Sequence, residues 1–234
     1  MSESIKYDVI PGKGAKVAFL HGWRNSAENM RPIAAELSDF DRYLIDLPGF
    51  GKSSISANQE KFSSYVESLA RILPDSAWIV GHSFGGKIAI DLAARYPEKV
   101  RGIILIASSG YVKPRTLIRR HVFKNFLRVA KLFGLRKWLA GKLNAPDYAS
   151  VNPFLKKVMA DSLKHDTAGM AKKVNVPTLI IYGTDDTQTP AWYGKKFSRA
   201  IKDSKLFILP GYDHNSILSS GRFQVAGLIK DFIK

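Results

Sequence analysis

The chain has 234 residues, of which 45% are hydrophobic and 24% charged, a globular composition that excludes wholesale disorder. It has no cysteine, and this excludes a disulfide framework, cysteine-ligated zinc and a thiol nucleophile. Its 36 Lys and Arg against 20 Asp and Glu give a net charge of +16, which favours an acidic partner such as nucleic acid, an anionic membrane face or an acidic protein.

The first residues lack the apolar core of a signal peptide. No apolar run approaches the roughly 20 residues of a membrane span, and the longest stretches, such as Ile103–Ala107, have the length of a strand. We therefore expect a soluble cytoplasmic protein.

Short apolar runs alternate along the chain with amphipathic segments. The runs that predict strands are Lys16–Leu20, Tyr43–Asp46, Trp78–Val80, Arg101–Ala107, Thr178–Tyr182 and Lys205–Leu209. Most of them are apolar at consecutive positions, as strands buried on both faces should be. Tyr7–Ile10 is a candidate edge strand. The segments that predict helices are Ala27–Leu37, Phe62–Leu73, Gly85–Arg95, Ala191–Ile201 and Asn215–Lys230. This alternation predicts an α/β fold, with a mostly parallel sheet and helices on both faces.

The alternation is interrupted between residues 110 and 173, where the sequence offers no strand candidate. Apolar residues recur at helical spacing from Ile118 to Phe133, and Gly134 is a typical helix stop. We predict a core made of residues 1–109 and 174–234, with residues 110–173 inserted over the edge of the sheet as a helical lid.

A nucleophile elbow is predicted at Gly81-His82-Ser83-Phe84-Gly85, which follows one strand and opens a helix. The sharp turn strains the serine and raises its hydroxyl above the sheet, and the flanking glycines avoid clashes. The G-x-S-x-G pattern alone is a weak signal, and its position between strand and helix makes it informative.

A serine nucleophile needs a base, and the base needs a carboxylate to orient it. In folds with such an elbow the carboxylate and then the histidine follow the serine along the chain, in loops after later strands. Asp185 and Asp186 follow one predicted strand, and His214 follows the next. These are the carboxyl ends of strands, where open α/β sheets place their sites.

Two backbone N–H groups are candidates for an oxyanion hole, which stabilises the negative oxygen formed when a carbonyl is attacked. One belongs to Phe84, directly after the serine. The other belongs to Trp23, which follows a strand in the segment His21-Gly22-Trp23. His21 and His82 flank the site, and we expect them to orient its loops through hydrogen bonds.

Together these motifs resemble those of α/β-hydrolases of the serine-esterase branch. The resemblance covers the chain from about residue 16 to its end, apart from most of the predicted lid. It rests on the segments His21–Trp23, Asp46–Ser53, Gly81–Gly86, Gly183–Asp186 with Pro190, and Gly211–His214. Within the family, the segments near His21 and Asp46 most resemble those of pimeloyl-acyl-carrier-protein methyl ester esterases of biotin synthesis.

The resemblance implies the α/β-hydrolase fold, with Ser83 as nucleophile, His214 as base and Asp186 rather than Asp185 as acid, because members often read G-x-x-D-x-x-x-P here. It also implies hydrolysis of a carboxylic ester or thioester through an acyl-enzyme, with no metal and no cofactor. Serine at the elbow argues against dehalogenases and epoxide hydrolases, which carry Asp there. The alternative is a non-catalytic ligand-binding or receptor protein on the same scaffold.

The predicted lid carries aromatic residues that suit an acyl pocket. We expect Phe126 and Trp138 to bind substrate together with Trp23. An ordinary apolar core between lid and body is the other interpretation of these lid aromatics.

Ten of the 36 basic residues lie between Tyr111 and Asn144, a segment without Asp or Glu. Some of them recur at helical spacing, namely Arg120, Lys124, Arg128 and Lys131. Such a helix suits an acidic carrier protein that presents an acyl chain, an anionic membrane surface or a small anionic substrate, and a solvated face is the remaining alternative. Nucleic acid is not expected, because the sequence has no recognition motif.

Overall fold

The computed structural model describes residues 5–55, 59–111 and 152–234. Within these ranges seven strands form one sheet, in the order β1-β3-β2-β4-β5-β6-β7. The strands are β1 (Tyr7–Ile10), β2 (Lys16–Leu20), β3 (Asp41–Ile45), β4 (Ala77–His82), β5 (Val100–Ile106), β6 (Thr178–Gly183) and β7 (Ser204–Leu209). Only β1 runs antiparallel to its neighbour, β3, and every other pairing of the described strands is parallel. The predicted mostly parallel sheet is confirmed.

Seven α-helices and one short 3₁₀-helix, Ala27–Met30, connect the strands in the described ranges. The α-helices, numbered over these ranges, are α1 (Arg31–Glu36), α2 (Phe62–Ile72), α3 (Phe84–Arg95), α4 (Pro153–Ser162), α5 (Thr167–Ala171), α6 (Trp192–Ala200) and α7 (Arg222–Ile233). No helix of the described residues is long and apolar enough to span a membrane.

The sheet is buried on both faces because its central strands are apolar at consecutive positions. In β2, Val17 and Phe19 face one hydrophobic cluster while Ala18 and Leu20 face the other. Helices α1 and α7 cover the first face, and α2, α3 and α6 cover the second. The two layers hold the strand ends rigidly, which fixes the loops that follow them.

The last helix differs most from its prediction. It begins at Arg222 rather than Asn215 and runs to Ile233. The exposed carboxylate of Asp213 accepts hydrogen bonds from the backbone of Asn215 and Ser216, and the residues from there to Gly221 form successive turns. The Ser219-Ser220-Gly221 sequence has weak helix propensity, so the helix starts only where the apolar spacing resumes.

Most other predicted elements differ by one or two residues at an end, and two of the changes have a clear structural cause. The predicted helix Ala27–Leu37 is divided into the 3₁₀-helix and α1, with Pro32 in the first turn of α1. The strand predicted at Tyr43–Asp46 ends at Ile45, because the carboxylate of Asp46 turns to accept the N–H groups of Ala27 and Lys52.

The segment predicted as a lid lies partly outside the described residues, which leave out 112–151. Its end contains α4 and α5, which pack on the body of the protein through Leu155, Val158 and Ala171. Phe126, Trp138 and the cluster of basic residues fall outside the described ranges.

Candidate active site

The predicted elbow is a tight turn between β4 and α3, with Ser83 between the two elements. Ser83 has a φ of 52° and a ψ of −110°, a conformation that costs free energy for any residue with a side chain. The turn is held by β5: the N–H of Ser83 donates to Ile106 O at 3.0 Å, and the N–H of Ser109 donates to Ser83 O at 2.9 Å. These hydrogen bonds therefore hold Ser83 in its strained conformation.

Glycines let the loop after β2 pass close to this turn. A Cβ on Gly85 would lie 2.1 Å from the carbonyl oxygen of Leu20, so only glycine fits there. A Cβ on Gly22 would lie 3.4 Å from Ser83 Cβ, which places the Gly22-Trp23 backbone beside the serine. This proximity is what an oxyanion hole built from both loops needs.

The loops after β6 and β7 bring Asp186 and His214 together. The Nδ1 atom of His214 lies 2.7 Å from Oδ2 of Asp186. The other carboxylate oxygen, Oδ1, accepts the backbone N–H groups of Gln188 at 2.8 Å and Thr189 at 2.7 Å. Asp186 is only 3% exposed, and burial alone would raise its pKa, yet the hydrogen bonds from His214 and Thr189 hold that pKa below its usual value.

The neighbouring Asp185 points elsewhere. It is exposed, and its Oδ1 accepts the hydroxyl of Thr184 at 2.7 Å. Of the two aspartates, the structure brings only Asp186 to His214.

Thr189 is part of this group, although the sequence did not single it out. Its hydroxyl oxygen lies 2.7 Å from Asp186 Oδ2, 3.1 Å from His214 Nδ1 and 2.9 Å from the carbonyl oxygen of Ala107. The side chain thereby connects the imidazole, the carboxylate and the end of β5. A threonine three residues after an aspartate is too common in turns to be recognised as functional from the sequence alone.

His82 connects the elbow to the loop of His214. Its Nε2–H donates to the backbone carbonyl of His214 at 2.9 Å, and the two imidazole rings lie 4.7 Å apart between centroids. Burial lowers the pKa of His82 to about 3, so the ring is neutral at ordinary pH. The predicted orienting role thus corresponds to a direct bond that ties His214 to the residue before Ser83.

His21 orients the loop after β2 through two hydrogen bonds to the backbone. Its Nδ1–H donates to the carbonyl of Gly22 at 2.7 Å, and its Nε2 accepts the N–H of Leu47 at 3.0 Å. Burial lowers the pKa of this imidazole to about 4. The Trp23 ring packs edge-on against Phe50 and Phe84, at centroid distances of 5.0 and 5.1 Å.

A pocket of about 230 Å³ opens beside the serine. Ser83, Trp23 and Phe84 form one wall, and Ser109, Met159 and His165 contribute to the others. Two of its lining residues are chemically unusual and were not predicted, Lys87 on α3 and His165 after α4. No group of three or more His, Asp or Glu side chains in the described ranges suits a metal ion.

The structure thus brings Ser83, Trp23 and Phe84 to one pocket and pairs Asp186 with His214. A serine hydroxyl in a pocket, together with a histidine paired to a buried carboxylate, suits nucleophilic attack on a carbonyl carbon. The remaining predicted substrate-binding residues, Phe126 and Trp138, are outside the described residues.

Comparison with family models gives two matches. Residues 17–133 match a model described as the alpha/beta hydrolase fold, and residues 158–234 match one described as TAP-like protein. The first match includes the elbow, and the second includes Asp186 and His214.

Two named relatives are esterases. The chain is 30% identical to the pimeloyl-[acyl-carrier protein] methyl ester esterase of Wigglesworthia glossinidia brevipalpis, over 97% of this chain and 96% of that protein. It is 38% identical to the protein of the same name from Shewanella woodyi over 109 residues, which is 47% of this chain and 41% of that protein.

A solved structure has the same fold at low sequence identity. BpoC from Mycobacterium tuberculosis H37Rv, a putative non-heme bromoperoxidase by its title, superimposes with a TM-score of 0.75 at 20% identity and covers 100% of this chain and 98% of its own.

Proposed function

The chain belongs to the α/β-hydrolase family and is a hydrolase of the carboxylesterase type, and we propose that it cleaves a carboxylic ester or thioester through Ser83, His214 and Asp186. The observation that carries this proposal is the buried Asp186–His214 pair, which is hydrogen-bonded to His82, the residue before a strained serine. A binding protein on this scaffold would need neither a strained serine nor a histidine oriented by a buried carboxylate.

The proposed reaction begins with the hydroxyl of Ser83. His214 accepts its proton through Nε2 while the oxygen attacks the carbonyl carbon of the ester. Asp186 holds Nδ1–H, which selects the tautomer with a free Nε2 and stabilises the imidazolium that forms. The leaving alcohol or thiol then takes the proton from His214.

The developing oxyanion would be bound by the backbone N–H groups of Trp23 and Phe84. Phe84 is the first residue of α3, where N–H groups have no partner inside the helix. The positive end of the helix dipole adds to this stabilisation. A water activated by His214 would then hydrolyse the acyl-enzyme and restore the serine.

We further propose that the acyl group is presented by an acidic carrier protein. This is supported by the two relatives named above, which are esterases of a pimeloyl-[acyl-carrier protein] methyl ester, and by the ten basic residues between Tyr111 and Asn144. Attraction between a basic surface and an acidic carrier acts mainly on the rate of association. A lipid-like acyl substrate at an anionic membrane is the alternative for the same charges.

A fluorophosphonate probe tests the serine mechanism, because it reacts covalently with an activated serine. We expect stoichiometric labelling of the wild-type protein and none of Ser83→Ala, which should also lose ester hydrolysis by at least about a thousandfold. Thermal unfolding of both proteins controls for folding. Equal labelling or near-normal hydrolysis in the variant would eliminate Ser83 as the nucleophile.

A further inference from the structure

Lys87 is a buried lysine in the pocket of the proposed nucleophile. It lies on α3, its backbone N–H donates to the carbonyl of Ser83 at 3.2 Å, and only 6% of the residue is exposed. Lysine is almost never buried to this degree without a counter-charge. Its side chain lines the same pocket as Ser83, about one helical turn (about 6 Å) along the axis.

The ammonium group has contacts but no ion pair within the described residues. It donates to the carbonyl of Ser162 and lies 5.2 Å from the centre of the Phe62 ring. A lysine has three N–H donors, and the carbonyl takes one of them. Two donors therefore remain on a side chain that lines the pocket.

Two carboxylates act on Lys87 electrostatically, and Oδ1 of one of them, Asp91, accepts no hydrogen bond among the described residues. Asp91 is fully buried, with Oδ2 at 2.6 Å from His165 Nε2 and Oδ1 at 3.6 Å from Arg95. Asp161 accepts the N–H of Phe62 at 2.9 Å. Both carboxylates act on Lys87 from a distance without forming an ion pair with it in the described structure.

Burial lowers the pKa of Lys87 to about 8, which leaves most of the group protonated at neutral pH. A cation with little water around it gains far more from an anion than an exposed lysine does, since the local dielectric constant is low. A ligand carboxylate would also supply the ion pair that Lys87 lacks within the described residues.

We propose that Lys87 is a substrate-binding residue that pairs with a carboxylate on the ester substrate, a few atoms from the carbonyl attacked by Ser83. The substrate class is therefore an ester that carries a free carboxylate, either on its acyl part or on its alcohol part. This inference rests on the proposed ester hydrolysis and adds the charge of the substrate to it.

Matched ester pairs separate the two positions of the carboxylate. Monomethyl glutarate against methyl valerate tests the acyl part, and 4-acetoxybutyrate against butyl acetate tests the alcohol part. The quantity to compare is the ratio of kcat/KM for the anionic ester to kcat/KM for the neutral one. In Lys87→Met this ratio should fall at least fivefold in one of the two pairs, and the pair that responds identifies which part carries the carboxylate.

Two controls accompany this variant. Lys157→Met removes a lysine that is paired with Glu60 at 2.6 Å and does not line the pocket, and it should keep both wild-type ratios. If Lys87→Met does not fold, inhibition of the wild-type protein replaces it. Glutarate should then inhibit hydrolysis of p-nitrophenyl acetate competitively, with a Ki at least fivefold below that of uncharged 1,5-pentanediol.

If the ratio of kcat/KM values falls less than fivefold in both ester pairs, the assignment of Lys87 is wrong. In the inhibition experiment, a glutarate Ki less than fivefold below that of 1,5-pentanediol has the same meaning. These results differ from a failure of the proposed function. A wild-type protein that hydrolyses none of the esters contradicts the serine mechanism, whereas hydrolysis with unchanged ratios contradicts only the role of Lys87.

Discussion

The imidazole of His214 and the carboxylate of Asp186 are held 2.7 Å apart by two loops that leave neighbouring parallel strands, β6 and β7. The pair is buried, and the carboxylate has no oxygen without a donor. Oδ1 accepts two backbone N–H groups, and Oδ2 receives His214 and the hydroxyl of Thr189. Such a carboxylate cannot turn away from the imidazole without losing several bonds at once, which fixes the orientation of His214.

The first prediction separates the two neighbouring aspartates. Asp186→Asn should lower kcat by several orders of magnitude, because an amide can donate to Nδ1 and so favour the wrong tautomer of His214. Asp185→Asn is the matched control and should stay within a few-fold of wild type, since Asp185 is exposed and bonded to Thr184. Steady-state kinetics on a p-nitrophenyl ester measures both. A larger loss in Asp185→Asn would show that the wrong aspartate has been assigned.

The second prediction concerns the hydroxyl of Thr189. Thr189→Val keeps the shape but removes one donor to the buried carboxylate, a bond of the strength usual for charged groups, about 1.5–3 kcal/mol. We expect kcat to fall about tenfold or more and the pKa of Asp186 to rise. Thr189→Ser retains the hydroxyl and should restore most of the activity. If Thr189→Val keeps the kcat of the wild-type protein, Thr189 contributes only packing and does not support the Asp186–His214 pair.

The third prediction is a pH dependence of stability. His21 and His82 have pKa values of about 4 and about 3 in the folded protein, against the usual 6.5. As the pH falls below about 6.5, the unfolded chain binds these protons first, so the free energy of unfolding decreases down to the folded pKa values. Each histidine contributes a slope of at most about 1.4 kcal/mol per pH unit.

Urea unfolding between pH 7 and pH 5 measures this slope. His82→Asn should show a shallower loss of stability over that interval than wild type, whatever its stability at pH 7. An identical slope in both proteins would mean that His82 is not held neutral by burial.

The fourth prediction concerns the basic segment, which lies outside the described residues. If it recruits an acidic carrier protein, KM for an acyl-carrier-protein ester should rise with ionic strength while kcat changes little, because the attraction is screened over about 8–10 Å at physiological salt. Reversing Arg120, Lys124 and Arg128 to Glu should reproduce this effect at low salt.

A neutral short-chain ester is the control for the same variant, since the positive charges of the basic segment do not attract an uncharged molecule. Anionic vesicles test the membrane alternative in parallel. If salt and charge reversal affect the carrier-bound and the neutral ester equally, the segment is a solvated surface, and both the carrier and the membrane interpretations fail.

Much of the fold was predictable because it depends on local pattern. Strands buried on both faces must be apolar at consecutive positions, and so β2 was predicted at the residues where it occurs. The edge strand β1, which is largely exposed, was also predicted at its observed position. The last helix was placed seven residues too early, because the apolar spacing of Ile217 and Leu218 resembles a helix although these residues belong to turns. The turns there are held by hydrogen bonds from backbone N–H groups to the carboxylate of Asp213, and hydrophobic periodicity does not reveal such bonds.

By itself the sequence determined the alternation of strands and helices, the turn that strains Ser83 and the order in which the aspartates and His214 follow it. These features depend on neighbouring residues and on the general rule that the carboxyl ends of parallel strands meet at one edge. The family resemblance already favoured Asp186 over Asp185, and the tertiary structure placed Asp186 against the imidazole. Only the tertiary structure added Thr189 to the pair and brought Lys87 against Ser162, 75 residues away along the chain. Contacts of this kind depend on how helices and loops pack on the sheet. The sequence pattern does not show which buried polar groups will have a partner after packing.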